Sequence, residues 1–335
     1  MCQAAGAQFH RTCGYSRLCP TVRRGASQSV GVVVTIALTG ATGFVGQAVL
    51  DAAAAQKMAV QALARRVQPD RRGVHWIRGD LGDRRSLMRL VDGVEAVIHV
   101  AGAVNAPDEA EFEAANVEGT LAVVEAALAA GVPRFVHVSS LAAREPHLSA
   151  YGASKRRGEK IVAASGLDWT IIRPPAVYGP RDTEMFELFR GAKWGVVPMP
   201  PPGRTSVIHV DDLARLLLAL VDGGEDVTHR LFEPDDGQPQ GWGHKDLAEA
   251  IGAAMGRKPW VPHMSRGTLD WISRIEGWVR PGKVKLSTDR VNYMVHPDWV
   301  VTSGHAVPER RWKPEIRTRD GLRATADWYR KQGWL

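Results

Sequence analysis

Cysteine is scarce: the 335-residue chain has three, Cys2, Cys13 and Cys19, all in its opening stretch. From residue 20 onward no disulfide, thiolate metal site or cysteine nucleophile can be built, and a reducing compartment is the expectation. Acid is also missing at the start, where four arginines precede the first carboxylate, Asp51. That stretch supplies four of the seven net positive charges, and the excess left to the body of the chain is too mild to point to nucleic acid. An unbroken apolar run fit for a bilayer is lacking too. Residues 25–50 carry no charge, but Thr39-Gly40-Ala41-Thr42-Gly43 divides them into a buried strand, a tight turn and a helix start. The start has no secretory pattern of basic end, apolar stretch and small-residue cleavage site. For residues 1–33, Arg- and Ser-containing and broken by Pro20, three readings stand: a mitochondrial transit peptide, a disordered extension, or a start codon assigned too early.

What is present describes a large globular protein, 44% hydrophobic and 24% charged. Apolar β-rich runs alternate with Ala-rich helical stretches. Strands are expected at 32–38, 60–64, 94–100, 135–139 and 169–173, with helices at 44–57, 86–91, 109–130 and 149–165. Continuous apolar strands separated by helices are what a parallel sheet covered on both faces requires. The expected fold is α/β, a Rossmann-type doubly wound parallel sheet with a smaller C-terminal substrate-binding cap. After about residue 175 the alternation breaks up into a loop at 198–202, a short strand at 207–210 and a helix at 211–220 opened by acids. Eight of the eleven tryptophans lie between Trp242 and Trp334. The expected division is an extension over 1–33, a nucleotide-binding domain over 34–230 with 181–204 contributing to the cap, and the cap itself over 231–335.

Thr39-Gly40-Ala41-Thr42-Gly43-Phe44-Val45-Gly46 lies between the first strand and the first helix. Its glycines allow a tight turn, a close approach of backbone to a pyrophosphate, and close packing of helix on sheet. The spacing is G-x-x-G-x-x-G, so support for a dinucleotide is needed from elsewhere. The second strand ends in Ala64-Arg65-Arg66, where a protein selecting NAD carries an acid for the ribose 2′-hydroxyl. Two guanidinium groups suit a 2′-phosphate, so the expected cofactor is NADP(H), with NAD(H) as the alternative if the arginines are merely solvated. Asp80 and Leu81 after the third strand could meet the adenine, and Ala101-Gly102-Ala103 after the fourth the ribose and phosphates; either could be an ordinary turn.

Ser139 and Ser140 end a strand, and Tyr151 and Lys155 follow four apart on one face of a helix. A phenol is a poor acid or base at neutral pH, but an ammonium one turn away would lower its pKa, and a serine hydroxyl supplies a second hydrogen bond to a substrate oxygen. Together they can donate a proton to a carbonyl while a nicotinamide delivers hydride.

With these residues in view, the sequence resembles an extended short-chain dehydrogenase/reductase of the NAD(P)-dependent epimerase/dehydratase family. The resemblance runs from Val34 to the C-terminus. It rests on the Gly turn, Ser140, Tyr151, Lys155, Arg173-Pro174-Pro175-Ala176-Val177-Tyr178-Gly179-Pro180, and Ile208-His209-Val210-Asp211-Asp212-Leu213-Ala214. It implies that Ser140, Tyr151 and Lys155 are catalytic and that Thr39, Gly40, Thr42, Gly43, Phe44, Val45, Gly46, Tyr151, Lys155 and Pro174 contact the cofactor. Asn116 resembles the family's helix asparagine, and His209 a structural residue near the cap junction. Sugar-nucleotide dehydratases carry an acid after the serine; Ser140-Leu141-Ala142-Ala143 has none, which argues against dehydration. The short connection from Ser140 to Tyr151 resembles the atypical branch of bacterial ceramide (3-oxosphingolipid) reductases and the accessory nucleotide-binding subunit of respiratory complex I.

The expected function is therefore NADPH-dependent reduction of a ketone, on a lipid-like substrate such as a 3-oxosphingolipid. The alternatives are a sugar-nucleotide epimerase holding NAD and a noncatalytic NADP(H)-binding assembly subunit. In the cap, Trp260, Trp271, Trp278 and Trp299 with Met255, Met264 and Met294 could line an apolar groove or form core. Arg266, Arg274, Arg280, Lys283, Lys285 and Arg290 could meet a diphosphate or an anionic membrane, or be a solvated face. The expected partner is a small-molecule or lipid substrate, with no nucleic acid; peripheral membrane contact and a homodimer remain open. The expected location is cytoplasmic or peripheral to the inner membrane, or mitochondrial if residues 1–33 are a transit peptide.

Overall fold

The computed structural model describes residues 34–279 and 287–335, with the side chains of 276–279 left out. The extension over 1–33 and the expected cap bases Arg280, Lys283 and Lys285 lie outside the described residues. The first half of the chain alternates strand and helix: β1 (Thr35–Thr39), α1 (Phe44–Ala55), β2 (Ala59–Ala64), β3 (Val74–Arg78), α2 (Arg84–Leu90), β4 (Ala96–His99), α3 (Glu109–Glu113), α4 (Gly119–Ala129), β5 (Arg134–Val138), α5 (Ala150–Ala163) and β6 (Asp168–Ile172). Then come β7 (Ala176–Tyr178), α6 (Phe186–Lys193), β8 (Arg204–Thr205), β9 (Val207–His209), α7 (Val210–Ala219), β10 (Arg230–Phe232), β11 (Trp242–Gly243), α8 (His244–Ala254), α9 (Arg266–Val279), α10 (Thr288–Met294), β12 (Asp298–Trp299) and α11 (Thr318–Lys331).

Seven strands form one parallel sheet in the order β10-β6-β5-β4-β1-β2-β3. Every residue of β4 and β5 is buried, as strands sandwiched between helices must be. On one face Leu38 and Ile98 pack with Val49 and Leu50 of α1 and with Leu213 and Leu217 of α7. On the other, Val97 and Phe135 pack with Leu87, Val123 and Val162 of α2, α4 and α5. Each fully buried leucine contributes about 2 kcal/mol of transfer free energy to these two layers. The doubly wound architecture is that of the sequence reading, and its strand order reverses between β1 and β4, where such sheets bind ligands at their carboxyl ends.

The expected helix over 109–130 is not continuous: Ala114–Glu118 forms a π turn between α3 and α4. A widened turn rotates the residues before it relative to those after it, and here it turns Asn116 into the sheet end. The cap has its own core of Phe189, Leu247, Ile251, Leu322 and Tyr329, from α6, α8 and α11. The two parts interleave along the chain. Strand β10 spans residue 230, and Val307 and Trp312 from the C-terminal segment return to the sheet-side core.

Candidate functional site

The site assembles at the carboxyl ends of β1, β4 and β5. Gly40 leaves β1 with a positive φ of 71°, and a Cβ there would lie 2.7 Å from the Ala101 nitrogen. A Cβ on Gly46 would lie 2.1 Å from the Gly40 carbonyl oxygen, so the first turn of α1 packs directly on the glycine turn. Gly43 is the extended N-cap residue of α1, and no side chain caps that helix. Thr42 is exposed, while Phe44 and Val45 are half-buried. Thr39 is wholly buried: its Oγ1 accepts from the Ala101 amide at 3.1 Å and bonds His99 Nδ1 at 2.7 Å, tying the ends of β1 and β4 together. Its position is that of a brace behind the turn.

Arg65 and Arg66 are exposed beyond β2, and no acid pairs with either among the described residues. Asp80 is exposed after β3, with its Oδ1 accepting from the Gly82 amide at 2.9 Å, and Leu81 packs against Gly119. The 101–103 loop is held by Asn116, whose Oδ1 accepts from the Ala103 amide at 2.8 Å while Nδ2 donates to the Ala103 carbonyl at 3.0 Å and to Ser154 Oγ at 2.9 Å. A Cβ on Gly102 would stand 2.6 Å from Asn116 Oδ1 and 3.5 Å from Lys155 Nζ, so only glycine fits that approach. Pro174 is buried, and its carbonyl accepts from the Leu141 amide at 2.9 Å, beside Ser140.

Helix α5 presents Tyr151 and Lys155 to the end of β5, as their four-residue spacing predicts. Ser140 caps a short 3-10 turn, accepting from the Ala142 amide at 3.2 Å, and its hydroxyl lies near enough to the Tyr151 phenol to favour the ionised form. Burial pushes the Tyr151 phenol up to about 12; the nearby Ser140 hydroxyl and the Arg290 charge pull the other way, and Tyr293 adds to the rise. Lys155 is turned to the Val138 carbonyl, to which its Nζ donates at 2.7 Å. Burial lowers that ammonium to about 8, against the opposing pull of Glu159. The charge that lowers the phenol in this arrangement is thus Arg290 of the cap, whereas the sequence pattern points to Lys155.

A buried ion network supports these residues. Arg173 donates to both oxygens of Glu159 at 2.7 Å and reaches Glu233 at 3.4 Å, while Ser139 Oγ donates to Glu159 at 2.6 Å. Burial alone would raise the Glu159 carboxyl, but Arg173, Ser139 and Arg156 together hold it below its usual range. Sequence reasoning names Arg173 only through its motif and misses both glutamates. Beneath Lys155, His99 and His137 stack with ring centroids 5.3 Å apart. Burial, with the Lys155 charge adding to it, lowers both imidazoles, so they are neutral. His209 caps α7, its Nδ1 accepting from the Asp211 amide at 3.2 Å, and stands edge-on to Tyr178; its place is structural.

Residues 36–231 match the NAD dependent epimerase/dehydratase family. Ceramide reductase of Caulobacter vibrioides is 37% identical over 322 residues, covering 92% of this chain and 98% of its own. This chain belongs to the NAD dependent epimerase/dehydratase family. Another relative, 2-alkyl-3-oxoalkanoate reductase of Stenotrophomonas maltophilia, is 32% identical over 328 residues, 86% of this chain and 97% of its own. The solved structure of MoeE5 in complex with UDP-glucose and NAD shares the fold, with a TM-score of 0.68 at 22% identity over 89% of this chain and 99% of that one. As a member of the extended short-chain dehydrogenase/reductases with reductases among its relatives, the protein is an NAD(P)-dependent oxidoreductase.

The residues present fit the family's dinucleotide. Glycine is required at 40, 46 and 102 by close backbone and side-chain approach, and the uncapped start of α1 leaves donors for a pyrophosphate. The expected apolar residues of the cap do not gather in one groove. Trp260 and Trp271 are 69% and 65% exposed, Met255 packs on the cap core, and Met264 and Met294 are half-buried. Trp299 lies under Arg144, whose guanidinium carbon is 5.7 Å from the ring centre; the Trp278 side chain lies outside the described residues. The expected bases divide as well. Arg274 is exposed, and Arg266 donates to Asn292 at 2.7 Å, but Arg290 turns inward and pairs with Glu184. Among the described residues no helix is long and apolar enough to cross a membrane.

Proposed function

We propose that the protein reduces the ketone of a lipid-like 3-oxo compound, such as a 3-oxosphingolipid, to a secondary alcohol at the expense of NADPH. The observation that carries this reading is a Tyr151 hydroxyl set beside Ser140 and walled by aromatic rings: Phe112 at 5.9 Å and Tyr293 at 6.0 Å between ring centres. Apolar walls suit an acyl chain beside the reacting carbon, and the similarity to a ceramide reductase over nearly the whole chain supports the same substrate class.

When bound, NADPH supplies the hydride that reaches the carbonyl carbon. Tyr151 gives its proton to the carbonyl oxygen, completing the alcohol, while Ser140 Oγ hydrogen-bonds that oxygen and fixes its direction. A phenol held at about 12 keeps its proton at neutral pH until charge develops on the oxygen, as a general acid in the reducing direction must. Lys155 would hold the nicotinamide ribose, and the negative charge left on Tyr151 once its proton has gone is offset by the Arg290 guanidinium. Arg65 and Arg66 support NADPH over NADH because two unpaired guanidinium groups stand where an acid would repel a 2′-phosphate.

Peripheral contact with a bilayer goes with a lipid substrate. Trp194 is 80% exposed, and backbone pairing of Val196 with Trp260 sets it next to a second exposed tryptophan, with exposed Lys193, Arg257 and Lys258 around them.

The test is fluorescence titration of the purified protein with NADPH and NADH, after any bound nucleotide has been identified, followed by turnover of a 3-oxo lipid by wild type and Tyr151→Phe. Exchangeable NADPH, weaker NADH and a Tyr151→Phe variant that binds NADPH within a few fold but does not turn over support the reading. Copurified, non-exchanging NAD would move it to sugar-nucleotide epimerisation, and unchanged turnover would remove Tyr151 from the reaction.

A further inference from the structure

Helix α5 begins at the residue before Tyr151, and its free N–H groups must find acceptors. Ser149, its own N-cap, accepts from the Gly152 amide at 2.9 Å. The two amides before that one are taken by the cap: Asp289 Oδ1 accepts from Ala150 at 2.5 Å and Oδ2 from Tyr151 at 3.3 Å. A carboxylate at a helix N-terminus is favoured by the helix dipole as well as by the two bonds. Asp289 comes from α10, over a hundred residues along the chain, so this is the direct polar joint between the substrate cap and the backbone of Tyr151.

One turn further on, Tyr293 lies on the same face of α10 as Asp289, and its ring meets that of Tyr151. The Tyr293 carbonyl accepts from Trp299 Nε1 at 2.8 Å. Arg144, at the end of the turn that Ser140 caps, stacks on Trp299 and donates to the carbonyls of Asp298 and Val300, each at 2.7 Å. The cap segment from α10 to β12 is therefore fastened at one end to the Tyr151 helix and at the other to the Ser140 turn. Between the fastenings Tyr151 is 9% exposed, with the ring of Tyr293 against its own, 6.0 Å between centres.

We propose that Asp289 is a positioning residue that sets the cap in register on the Tyr151 helix, and that Tyr293 is the specificity wall that this register places beside the reacting carbonyl. What it screens is the bulk of the substituent on the carbon next to the carbonyl, the carbon that carries nitrogen in a 3-oxosphingolipid. The inference rests on the reading of Tyr151 as proton donor.

The experiment measures steady-state reduction by NADPH of an unbranched 3-oxoester and of the same ester carrying a 2-methyl branch. Misplacing a reacting group by about 1 Å costs about a hundredfold, so Asp289→Ala is expected to lower kcat between tenfold and a hundredfold with NADPH affinity unchanged. Asp289→Asn, which keeps one acceptor, should recover part of that loss. Tyr293→Ala should shift the kcat/KM ratio toward the branched ester by about tenfold, as removal of several ring carbons from a pocket wall would, whereas Tyr293→Phe should leave the ratio alone. A residue that only stabilises the fold would lower the melting temperature in Asp289→Ala and leave kcat near wild type, and that result overturns the positioning role. An unchanged ester ratio in Tyr293→Ala overturns the wall. Wild-type turnover in Tyr151→Phe, by contrast, would mean that the reading beneath the inference has failed, whatever Asp289 and Tyr293 do. Tyr293→Ala keeps the inference testable if Asp289→Ala does not fold.

Discussion

Replacing Lys155 by methionine is expected to make the protein more stable at neutral pH while it abolishes turnover. In the folded protein the ammonium is buried and titrates near 8, against 10.5 for a lysine in water. Between those values the unfolded chain binds the proton and the folded chain has released it, so stability rises with pH across the window. Below about pH 8 the fold carries the whole cost of burying the charge. At about 1.4 kcal/mol for each pH unit between the two values, that cost is about 3 kcal/mol. Methionine has similar length and no charge to desolvate, but it leaves the Val138 carbonyl without the donor it has at 2.7 Å, which returns about 1 kcal/mol. The expected gain is about 2 kcal/mol at pH 7. It shrinks through pH 9 and reverses near pH 10, where most of the burial cost has gone. Urea denaturation of wild type and Lys155→Met at pH 7 and pH 10, without nucleotide, measures the difference directly. A stability change of the same size at both pH values would refute the argument, because only a titrating charge makes it vary. A loss of stability at pH 7 would show that the contacts of the ammonium outweigh its burial.

Other outcomes follow from the same structure. Arg65→Ser and Arg66→Ser should each weaken NADPH binding about tenfold and leave NADH binding alone, by loss of a charge-assisted bond to the 2′-phosphate; equal losses for both nucleotides in a titration would argue against the assignment. Glu159→Gln leaves the buried Arg173 with only Glu233 as a charged partner, at 3.4 Å, and should destabilise the protein by about 3–5 kcal/mol in denaturant melts. Because the Glu159 carboxyl is held low, its stabilisation is present above the ordinary carboxylate range and lost as pH falls through the lowered value. The variant should therefore lack that part of the acid sensitivity. In flotation with vesicles of one-third anionic lipid, wild type should rise with the vesicles and Trp194→Ala/Trp260→Ala should not. If wild type stays at the bottom of the gradient, there is no bilayer contact at this patch.

The sequence makes the nucleotide-binding half legible because its signals are local. Periodicity marks β1, α1, β4 and β5, and the glycines of 40–46 sit between a strand and a helix whatever follows. Tyr151 and Lys155 are readable for the same reason, since a four-residue spacing places them on one helical face. Contacts across long stretches of chain leave no such mark. Nothing near Glu159 announces Glu233, and nothing near Tyr151 announces Asp289. The π turn at Asn116 is invisible because its composition is that of an ordinary helix; only the two ends of the asparagine amide, one on the 103 loop and one on Ser154, explain why the helix widens there. The cap tryptophans misled for a related reason. Hydrophobicity says that a side chain can be buried and is silent on whether a neighbour arrives to cover it, and among the described residues Trp260 has none that does.

The shared guanidinium of Arg173 has an evolutionary and engineering meaning. Glu159 belongs to the helix of the nucleotide-binding sheet, whereas Glu233 follows the last sheet strand and accepts from the Thr302 amide at 2.9 Å, on the segment that leads out of the cap. A cap exchanged wholesale for a relative's would cut that joint and break the buried network that Arg173 shares between its two glutamates. New substrates are therefore more accessible by exchanging single side chains on the wall around Tyr293 than by transplanting domains. Lineages built on this frame are expected to diversify in the same manner, residue by residue on a cap that stays in place.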